Sequence, residues 1–199
     1  MTAALAERDA EVLSVEGERF TWLDILTRST AAERELMMRR GTPPKFEDLV
    51  GWEWGGGNCR VSFRLLGIRK FVKGFYEGPA RDKGPEPFIQ GYNIPAAGNG
   101  DSEPHVMEMK GGKPKRFGFY RVHNVVPGAR DDYYPNSVLL DYGLGGNGIF
   151  GPPLRDYLVQ VYPDNKDLLL GKAYLNILGL RIPTNYFVLK RLHEHDFHG

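Results

Sequence analysis

The chain has 199 residues, of which 41% are hydrophobic and 26% charged, a balance typical of a globular protein with one sizeable core. Its 26 basic residues against 25 acidic ones give a formal net charge of +1, which excludes a strong general attraction to nucleic acid or to an anionic membrane. A single cysteine, Cys59, excludes an internal disulfide, and no apolar run is long enough to span a bilayer. We therefore expect one cytoplasmic domain with no nucleic-acid partner and no membrane span.

The N-terminal part of the chain carries the helical pattern. Residues 1–20 are rich in Ala and Glu, and we interpret them as a partly mobile arm. Residues 21–48 predict a helical cap of one or two short helices, because apolar residues recur there at helical spacing. Thr30 and Glu33 form a capping-box pattern at the start of one helix, and Gly41 is the predicted stop.

Residues 49–192 show the pattern of β-structure, and residues 193–199 predict a short tail. Apolar and polar residues alternate over strand-length segments that Gly and Pro separate. The links between segments are too short for the crossovers that parallel strands need, so the pattern predicts a mainly β fold, an antiparallel up-and-down barrel of about 8–10 strands. The predicted strands are 58–66, 69–77, 88–94, 105–110, 116–126, 137–142, 156–162, 168–177 and 184–192.

The least random stretch is Gly51-Trp52-Glu53-Trp54-Gly55-Gly56-Gly57, in which two Trp stand among four Gly. It marks the junction between the helical cap and the first long strand. Trp52 and Trp54 share parity, so both point to the same side of an extended backbone. One interpretation is that the pair lines or plugs one end of the barrel. The other is that both are ordinary core residues.

Strand 116–126 offers the most informative face for a site. Phe119 is followed on the same face by Arg121 and His123, a mixed lining typical of a pocket that holds an apolar body and fixes one polar group. Strand parity alone leaves open whether this face is the interior, and the alternative places Arg121 and His123 outside in water. We predict a ligand-binding set inside the barrel, with His123 as the candidate catalytic group: Trp52, Trp54, Phe63, Phe119, Arg121, His123 and Tyr142.

The remaining motifs give weaker evidence for a functional site. A Gly-x-Gly-x-x-Gly run at residues 146–151 matches the dinucleotide fingerprint, but two prolines follow it instead of a helix, so we interpret it as a loop at the barrel mouth. The 193–199 tail holds imidazoles and carboxylates, yet a tail is a poor cage for an ion. We predict no specific metal site and no cofactor. The position of Cys59 in a predicted strand indicates a packed residue without a catalytic role.

The order of these elements resembles a known class of barrel. An N-terminal helical portion, a Gly/Trp entry motif and a β meander that includes residues 155–161 and closes with residues 186–191 are similar to the lipocalin-like calycin barrels. Among them, the chain is most similar to bacterial proteins in which a Gly-x-Trp-x-Gly motif precedes a domain of unknown function. The stretch here, Gly51-Trp52-Glu53-Trp54-Gly55, keeps the flanking Gly but has Trp on both sides of the central position. The resemblance covers residues 37–191 in outline. It implies a cavity for a small hydrophobic molecule, with no established catalytic residues to carry over.

Two functions of different class follow as hypotheses. The first is binding of a fatty-acid-, terpenoid- or polyketide-like molecule inside the barrel, where burial of apolar surface stabilises the complex and one polar side chain orients the ligand. The second is a cofactor-independent enzyme of the cyclase or isomerase type, which acts on such a molecule by confinement and one acid/base group, His123 or a Tyr. A third hypothesis, an interaction protein with a filled cavity, rests on exposed aromatic residues alone.

Overall fold

The computed structural model describes residues 14–15, 18–59, 69–78, 88–148, 151, 153–178 and 180–199. The helices before the barrel are α1 (Trp22–Thr27), α2 (Ala31–Arg40) and α3 (Phe46–Leu49). The capping box predicted at Thr30 and Glu33 is present, since the Thr30 hydroxyl accepts from the Glu33 backbone N–H and the Glu33 carboxylate accepts from the Thr30 backbone N–H. Gly41 ends α2. The predicted N-terminal helical segment is confirmed.

The rest of the described chain is built mainly from β-strands. Their bounds are β1 Ser14–Val15, β2 Glu18–Arg19, β3 Trp52–Asn58, β4 Lys70–Gly78, β5 Phe88–Pro95, β6 Met109–Lys110, β7 Lys113–Pro114, β8 Phe117–Asn124, β9 Val138–Asp141, β10 Leu154–Tyr162, β11 Asn165–Ile177 and β12 Leu180–Glu194. In the described residues, eight of these strands form one closed antiparallel barrel in the order β3-β4-β5-β8-β9-β10-β11-β12, and β12 pairs back onto β3. The predicted up-and-down antiparallel barrel is confirmed.

One apolar cluster fills much of the barrel and receives side chains from all eight barrel strands. Because successive residues of a strand point to opposite faces, membership of this cluster identifies the inward face of each strand. Burial of these side chains is the main apolar contribution to barrel stability. We call this set the interior cluster, and its strand residues are Trp52, Trp54, Phe71, Phe75, Ile89, Tyr120, Val122, Val138, Leu140, Leu154, Leu158, Leu169, Ala173, Phe187 and Leu189.

The Trp and Gly stretch is itself the first barrel strand, β3, so the first strand lies earlier in the chain than the predicted strand 58–66. The predicted strand 58–66 lies mostly outside the described residues. Glycine generally disfavours strands, but here the neighbours occupy the space that side chains would fill. A Cβ on Gly56 would meet the ring of Phe71, and a Cβ on Gly57 would meet Leu26 of α1.

Within residues 1–20, the predicted arm, the structure describes two short strands and Phe20. β1 pairs with β2 in a two-stranded antiparallel ribbon. Phe20 is buried, and its backbone N–H donates a 2.8 Å hydrogen bond to the Tyr162 hydroxyl on β10. Arg19 forms a 2.7 Å ion pair with Asp164. Arg19 and Phe20 therefore contact the end of β10 and the turn that follows it. Residues 1–13 and 16–17 lie outside the described chain.

Helices α1 and α2 cover the outer wall formed by β10, β11 and β12. The apolar contacts there join Ile25, Leu26, Met37 and Met38 to Val159, Leu168, Leu170 and Val188. One carboxylate adds a polar connection: Glu35 Oε2 on α2 accepts hydrogen bonds from Lys172 Nζ (2.6 Å), the Tyr134 hydroxyl (2.8 Å) and the Tyr186 hydroxyl (2.7 Å). We refer to Glu35, Tyr134, Lys172 and Tyr186 as the Glu35 cluster. It fastens α2 to the wall.

The residues after β12 turn back onto the outer wall of the barrel. The His195 backbone N–H donates a 2.9 Å hydrogen bond to the Gly51 carbonyl. The ring of Phe197 lies 5.0 Å from the rings of both Tyr76 and Tyr92, in edge-on contacts. The predicted C-terminal tail thus covers an apolar patch on β4 and β5.

Substitution of Gly91 by Ala is expected to lower the free energy of unfolding by about 1–3 kcal/mol. Gly91 lies on β5 beneath the ring of Tyr120, and an added Cβ would meet that ring and the Gly74 carbonyl oxygen. Urea denaturation measures the change. Gly98→Ala is the control, because a Cβ on Gly98 meets nothing within 4 Å. Equal stabilities of the two variants would contradict the close packing at Gly91.

Candidate functional site

At one end of the barrel the interior cluster leaves a cavity of about 560 Å³. The cavity lies where β3 ends and β4 begins, and its walls are mainly apolar. A volume of this size is within the range of pockets that hold small organic molecules. The described residues that line it are Asn58, Phe71, Lys73, Asn93, Phe117, Gly118, Tyr142, Asn147, Gly151, Leu154, Asp156, Ala173, Leu175, Thr184, Asn185 and Phe187.

The opposite end of the barrel is filled. Helix α3 contributes Leu49 and Phe46 to the interior cluster there. Trp54 is fully buried, Trp52 packs against the same cluster, and the Arg191 guanidinium lies 4.5 Å from the Trp52 ring and 5.0 Å from the Trp54 ring. The predicted Trp pair therefore occupies the closed end, and neither Trp is among the described residues that line the cavity.

Polar side chains from separate elements meet at the floor of the cavity. Lys73 Nζ donates hydrogen bonds to Asn93 Oδ1 (2.9 Å), Tyr142 Oη (2.6 Å) and Asp156 Oδ2 (3.0 Å). The Tyr142 hydroxyl donates to the same Asp156 oxygen at 2.9 Å. Asn93 Nδ2 donates to the Gly118 carbonyl at 2.9 Å and approaches Tyr142 Oη at 3.3 Å. We refer to Lys73, Asn93, Tyr142 and Asp156 as the Lys73 cluster.

Strand alternation and one turn place these groups. Lys73 lies on the inward face of β4 between two Phe, and Asp156 lies on the inward face of β10 between two Leu. Tyr142 begins the 3₁₀ helix Tyr142–Leu144, where the chain leaves β9. The Asp141 side chain caps this turn by accepting from the Gly143 backbone N–H at 2.8 Å.

A β-bulge at Gly118 shapes the wall beside Asn93. Asn93 pairs with Phe117 and Gly91 pairs with Tyr120, so two residues of β8 lie opposite one residue of β5. Gly118 has φ +53°, a left-handed conformation that glycine adopts without steric cost. The bulge presents the Gly118 carbonyl to the Asn93 amide, and Phe117 and Gly118 both line the cavity.

Burial and aromatic neighbours set the electrostatics of the Lys73 cluster. Burial lowers the pKa of the Lys73 amine, and the Asp156 carboxylate opposes that shift. Lys73 Nζ lies 4.8 Å from the centroid of the Tyr120 ring and 5.2 Å from that of Phe187, and such rings attract a cation. Burial raises the pKa of Tyr142 well above its ordinary value, and the Asp156 charge adds to this. The Tyr142 hydroxyl therefore stays protonated and acts as a donor.

A buried ion pair is a costly way to stabilise a barrel. The side chains of Lys73 and Asp156 are only 2% and 6% exposed. Desolvation offsets much of the attraction between such charges, and apolar residues of similar size commonly stabilise a fold as well or better. Titratable groups that are buried and paired in the wall of a cavity are candidates for a functional site.

The predicted site residues divide between the two sides of the barrel wall. Tyr142 lines the cavity and belongs to the Lys73 cluster. Tyr120 belongs to the interior cluster, so Phe119, Arg121 and His123, which alternate with the inward residues of β8, lie on the outer face. The structure thus places these side chains on the outer face, which is the alternative that strand parity left open. Phe63, also predicted, lies outside the described residues.

The outer surroundings of these side chains agree with that placement. The ring of Phe119 packs 6.2 Å from Tyr92 and 6.4 Å from Phe197, in the patch that the C-terminal residues cover. His123 is half-buried, and its Nδ1 lies 3.1 Å from the Asn124 carbonyl oxygen. Arg121 has Asp141 as its cross-strand neighbour on β9. None of the three is among the described residues that line the cavity.

Three members of the Lys73 cluster, Lys73, Asn93 and Asp156, were missed by sequence reasoning. A signal was present for Lys73, because it shares a face of β4 with Phe71 and Phe75, which alternation places in the interior. A lysine on an otherwise aromatic inward face needs a buried partner. No comparable local pattern distinguishes Asp156 or Asn93 from residues that face water.

Two described residues of the Gly-rich run at 146–151 contribute to the cavity wall. The element described after it is the strand β10, and no helix follows that could hold a pyrophosphate. Asn147 anchors the run, since its Nδ2 donates to the Phe119 carbonyl (2.5 Å) and to the Tyr142 carbonyl (2.8 Å). Asn147 and Gly151 both line the cavity. The predicted loop at the barrel mouth thus lies beside the cavity.

Two further observations concern the described residues only. His, Cys, Asp and Glu side chains within them form no group of three or more with the arrangement needed to hold a metal ion. The helices in the described ranges are all too short or too polar to cross a membrane.

Comparison of the chain with protein-family models, with curated proteins and with solved structures gives no match. The barrel of eight antiparallel strands in the described residues is compatible with a lipocalin-like fold.

Proposed function

We propose that the protein binds a small, mainly apolar molecule in the cavity at the end of the barrel. One observation carries this proposal: an apolar cavity of about 560 Å³ lies inside the barrel, with the buried Lys73 cluster at its floor. Pockets of this kind solvate the apolar body of a ligand and orient it through a few fixed polar groups. Terpenoid-, polyketide- and fatty-acid-like molecules share the required apolar body.

The energetics favour an apolar ligand. Each Å² of apolar surface removed from water contributes about 25 cal/mol, and the walls that Phe71, Leu154, Leu175 and Phe187 supply provide that surface. The described residues at the closed end of the barrel, Trp54 and its neighbours, pack into the interior cluster, and neither Trp lines the cavity. The proposal therefore rests on the cavity end alone, and the resemblance of the Gly51–Gly55 stretch to a Gly-x-Trp-x-Gly motif does not enter it.

Native mass spectrometry tests the proposal on protein purified from its own host. We expect a bound small molecule that is released on denaturation and recovered in the organic extract. The proposal is contradicted if the purified protein carries no such molecule and also binds no apolar fluorescent dye.

Filling the cavity is expected to abolish binding. Ala173 lines the cavity from the inward face of β11, so Ala173→Phe places a ring where the ligand would lie. We expect at least a tenfold loss of affinity for the extracted molecule, measured by isothermal titration calorimetry, because the ring removes apolar space. Ala129→Phe makes the same change at an exposed turn residue and should bind normally. Unchanged affinity in Ala173→Phe would place the ligand elsewhere.

The second candidate function, a cofactor-independent enzyme on the same barrel, is favoured by the composition of the Lys73 cluster. A carboxylate, a phenol and an amine joined by short hydrogen bonds are groups able to accept and donate protons. The candidate acid/base residue thereby moves from His123, which lies on the outer face, to Asp156 or Tyr142.

The mass spectrum of the extracted molecule after incubation separates the two functions. If the protein is an enzyme, wild type and His123→Ala convert the molecule, and Asp156→Asn does not. If it is a binding protein, the molecule is unchanged in all three mixtures. Conversion lost in His123→Ala alone would restore the original assignment of that residue.

A further inference from the structure

The Lys73 cluster is nearly saturated in hydrogen bonds. The Lys73 amine has three protons as an ammonium, and three acceptors take them: Asn93 Oδ1, Tyr142 Oη and Asp156 Oδ2. The Tyr142 hydroxyl gives its single proton to Asp156 Oδ2. The Asn93 amide uses both protons, on the Gly118 carbonyl and on Tyr142 Oη. Every cluster proton is therefore committed within the protein.

One carboxylate oxygen in the cluster receives no hydrogen bond from the described residues. Asp156 Oδ2 accepts from both Lys73 and Tyr142, whereas Asp156 Oδ1 receives no hydrogen bond from the described residues. The Asp156 side chain lines the cavity and keeps 6% of its surface exposed there. Asp156 Oδ1 also receives no hydrogen bond if the proton shared by Lys73 and Asp156 sits on Asp156 Oδ2, because that proton remains in the hydrogen bond between the two side chains.

The described lining offers no second cation. Lys73 is the one Lys or Arg among the described residues that line the cavity, and its protons are already engaged. An anionic ligand end would meet the Asp156 carboxylate with no free cation in the described lining to balance it. Desolvation of an unpaired charge in such a cavity is expensive. A cationic end would in turn lie close to the Lys73 ammonium.

From this count we infer the chemical class of the ligand, an inference that rests on the proposed binding function. The cavity selects an apolar molecule whose inner end is a neutral hydroxyl or N–H group, which donates a hydrogen bond to Asp156 Oδ1. It discriminates against fatty-acid carboxylates, which carry the wrong charge, and against ethers and esters, which have no proton to donate. Of the ligand types considered, hydroxylated terpenoids and polyketides fit, and free fatty acids do not.

Isothermal titration calorimetry of the wild-type protein at neutral pH tests this with three probes of similar length: octanol, methyl heptyl ether and octanoate. We expect octanol to bind at least about tenfold more tightly than the ether or the carboxylate, since a hydrogen bond to a charged acceptor contributes on this scale. Equal binding of octanol and the ether, or tightest binding of octanoate, overturns the inference and leaves the binding function standing. If none of the three binds, the inference fails, and native mass spectrometry with the dye assay decides whether the binding function stands.

A variant of the acceptor makes the test sharper. In Asp156→Asn, Lys73 and Tyr142 still require an acceptor, so the amide oxygen takes the place of Oδ2 and the NH₂ group faces the cavity. The advantage of octanol over the ether should then fall below about twofold, because an NH₂ donor serves both oxygens. Asp164→Asn, the same change at an exposed aspartate, should keep the wild-type preference. A preserved preference in Asp156→Asn contradicts the assignment of Asp156 Oδ1. Should that variant fail to fold, the wild-type probes still decide.

Discussion

Replacement of Lys73 by Met is expected to lower the free energy of unfolding by about 3–5 kcal/mol. Lys73 Nζ lies 3.0 Å from Asp156 Oδ2, and the two side chains are 2% and 6% exposed. Removal of the amine leaves the Asp156 carboxylate buried without its cation and deprives Asn93 and Tyr142 of a hydrogen-bond donor. Equilibrium urea denaturation at neutral pH measures the loss.

Two comparisons separate the burial of this pair from a general effect of losing a lysine. The double variant Lys73→Met with Asp156→Leu should recover to within about 1–2 kcal/mol of wild type, because no buried charge remains unpaired. Lys115 and Glu108 form an ion pair with the same 3.0 Å separation, but each side chain is 50% exposed. Lys115→Met should cost less than about 1 kcal/mol. Similar losses from Lys73→Met and Lys115→Met would contradict this account.

Removal of the Glu35 carboxylate is expected to cost about 3 kcal/mol, because Glu35→Ala leaves three donors of the barrel wall without their acceptor. Lys172 and Tyr134 are buried, so water does not readily replace the lost hydrogen bonds. Thermal and urea unfolding measure the change. Glu47→Ala, on a side chain that is 78% exposed, is the control and should be nearly neutral. A loss in Glu35→Ala no larger than that of the control would contradict a stabilising role of the Glu35 cluster.

The Glu35 contribution should also depend on pH. Burial opposes the charge on Glu35, but hydrogen bonds from Lys172, Tyr186 and Tyr134 outweigh burial and hold the pKa of the carboxyl below its ordinary value of 4.5. Since the folded-state pKa is the lower one, the stabilisation is complete above the unfolded-state pKa and is lost as the pH falls through the folded-state pKa. The stability difference between wild type and Glu35→Ala should therefore be constant near neutral pH and shrink below about pH 4. A difference that grows on acidification would refute this.

Much of the barrel was predictable from local sequence, because its physical causes are local. Alternation of apolar and polar residues indicated seven of the eight barrel strands, and the Thr30 capping box marked the start of α2. The remaining strand, β3, was misplaced because three consecutive glycines normally argue against a strand. Their presence is explained only by long-range contacts, such as those of Gly56 with Phe71.

The inward face of β8 was beyond local reasoning. Both faces of that strand carry an aromatic residue, Phe119 on one and Tyr120 on the other. In the structure Tyr120 packs inward over Gly91 of the neighbouring strand, and the bulge at Gly118 sets the parity. Neither feature can be inferred from the 116–126 segment by itself, because both depend on which residue of β5 lies opposite.

The Lys73 cluster was beyond local reasoning for a different reason. Lys73 is 20 residues from Asn93, 69 from Tyr142 and 83 from Asp156 along the chain. A lysine in an alternating strand is ordinarily placed in solvent, since a buried ammonium without a partner is too costly. Only closure of the barrel brings the partners within hydrogen-bond distance.

Pairing of β12 with β3 joins residues 187–194 to residues 52–58. Contacts between segments so far apart in the chain incur a loop-closure entropy that makes them late events in folding. Before β12 pairs with β3, the cavity has no continuous wall, so a partly folded chain has no complete binding site. A molecule that occupied the cavity, as we propose, would then bind the native state alone and raise the folded fraction by mass action. Resistance of the protein to proteolysis would rise with the concentration of that molecule.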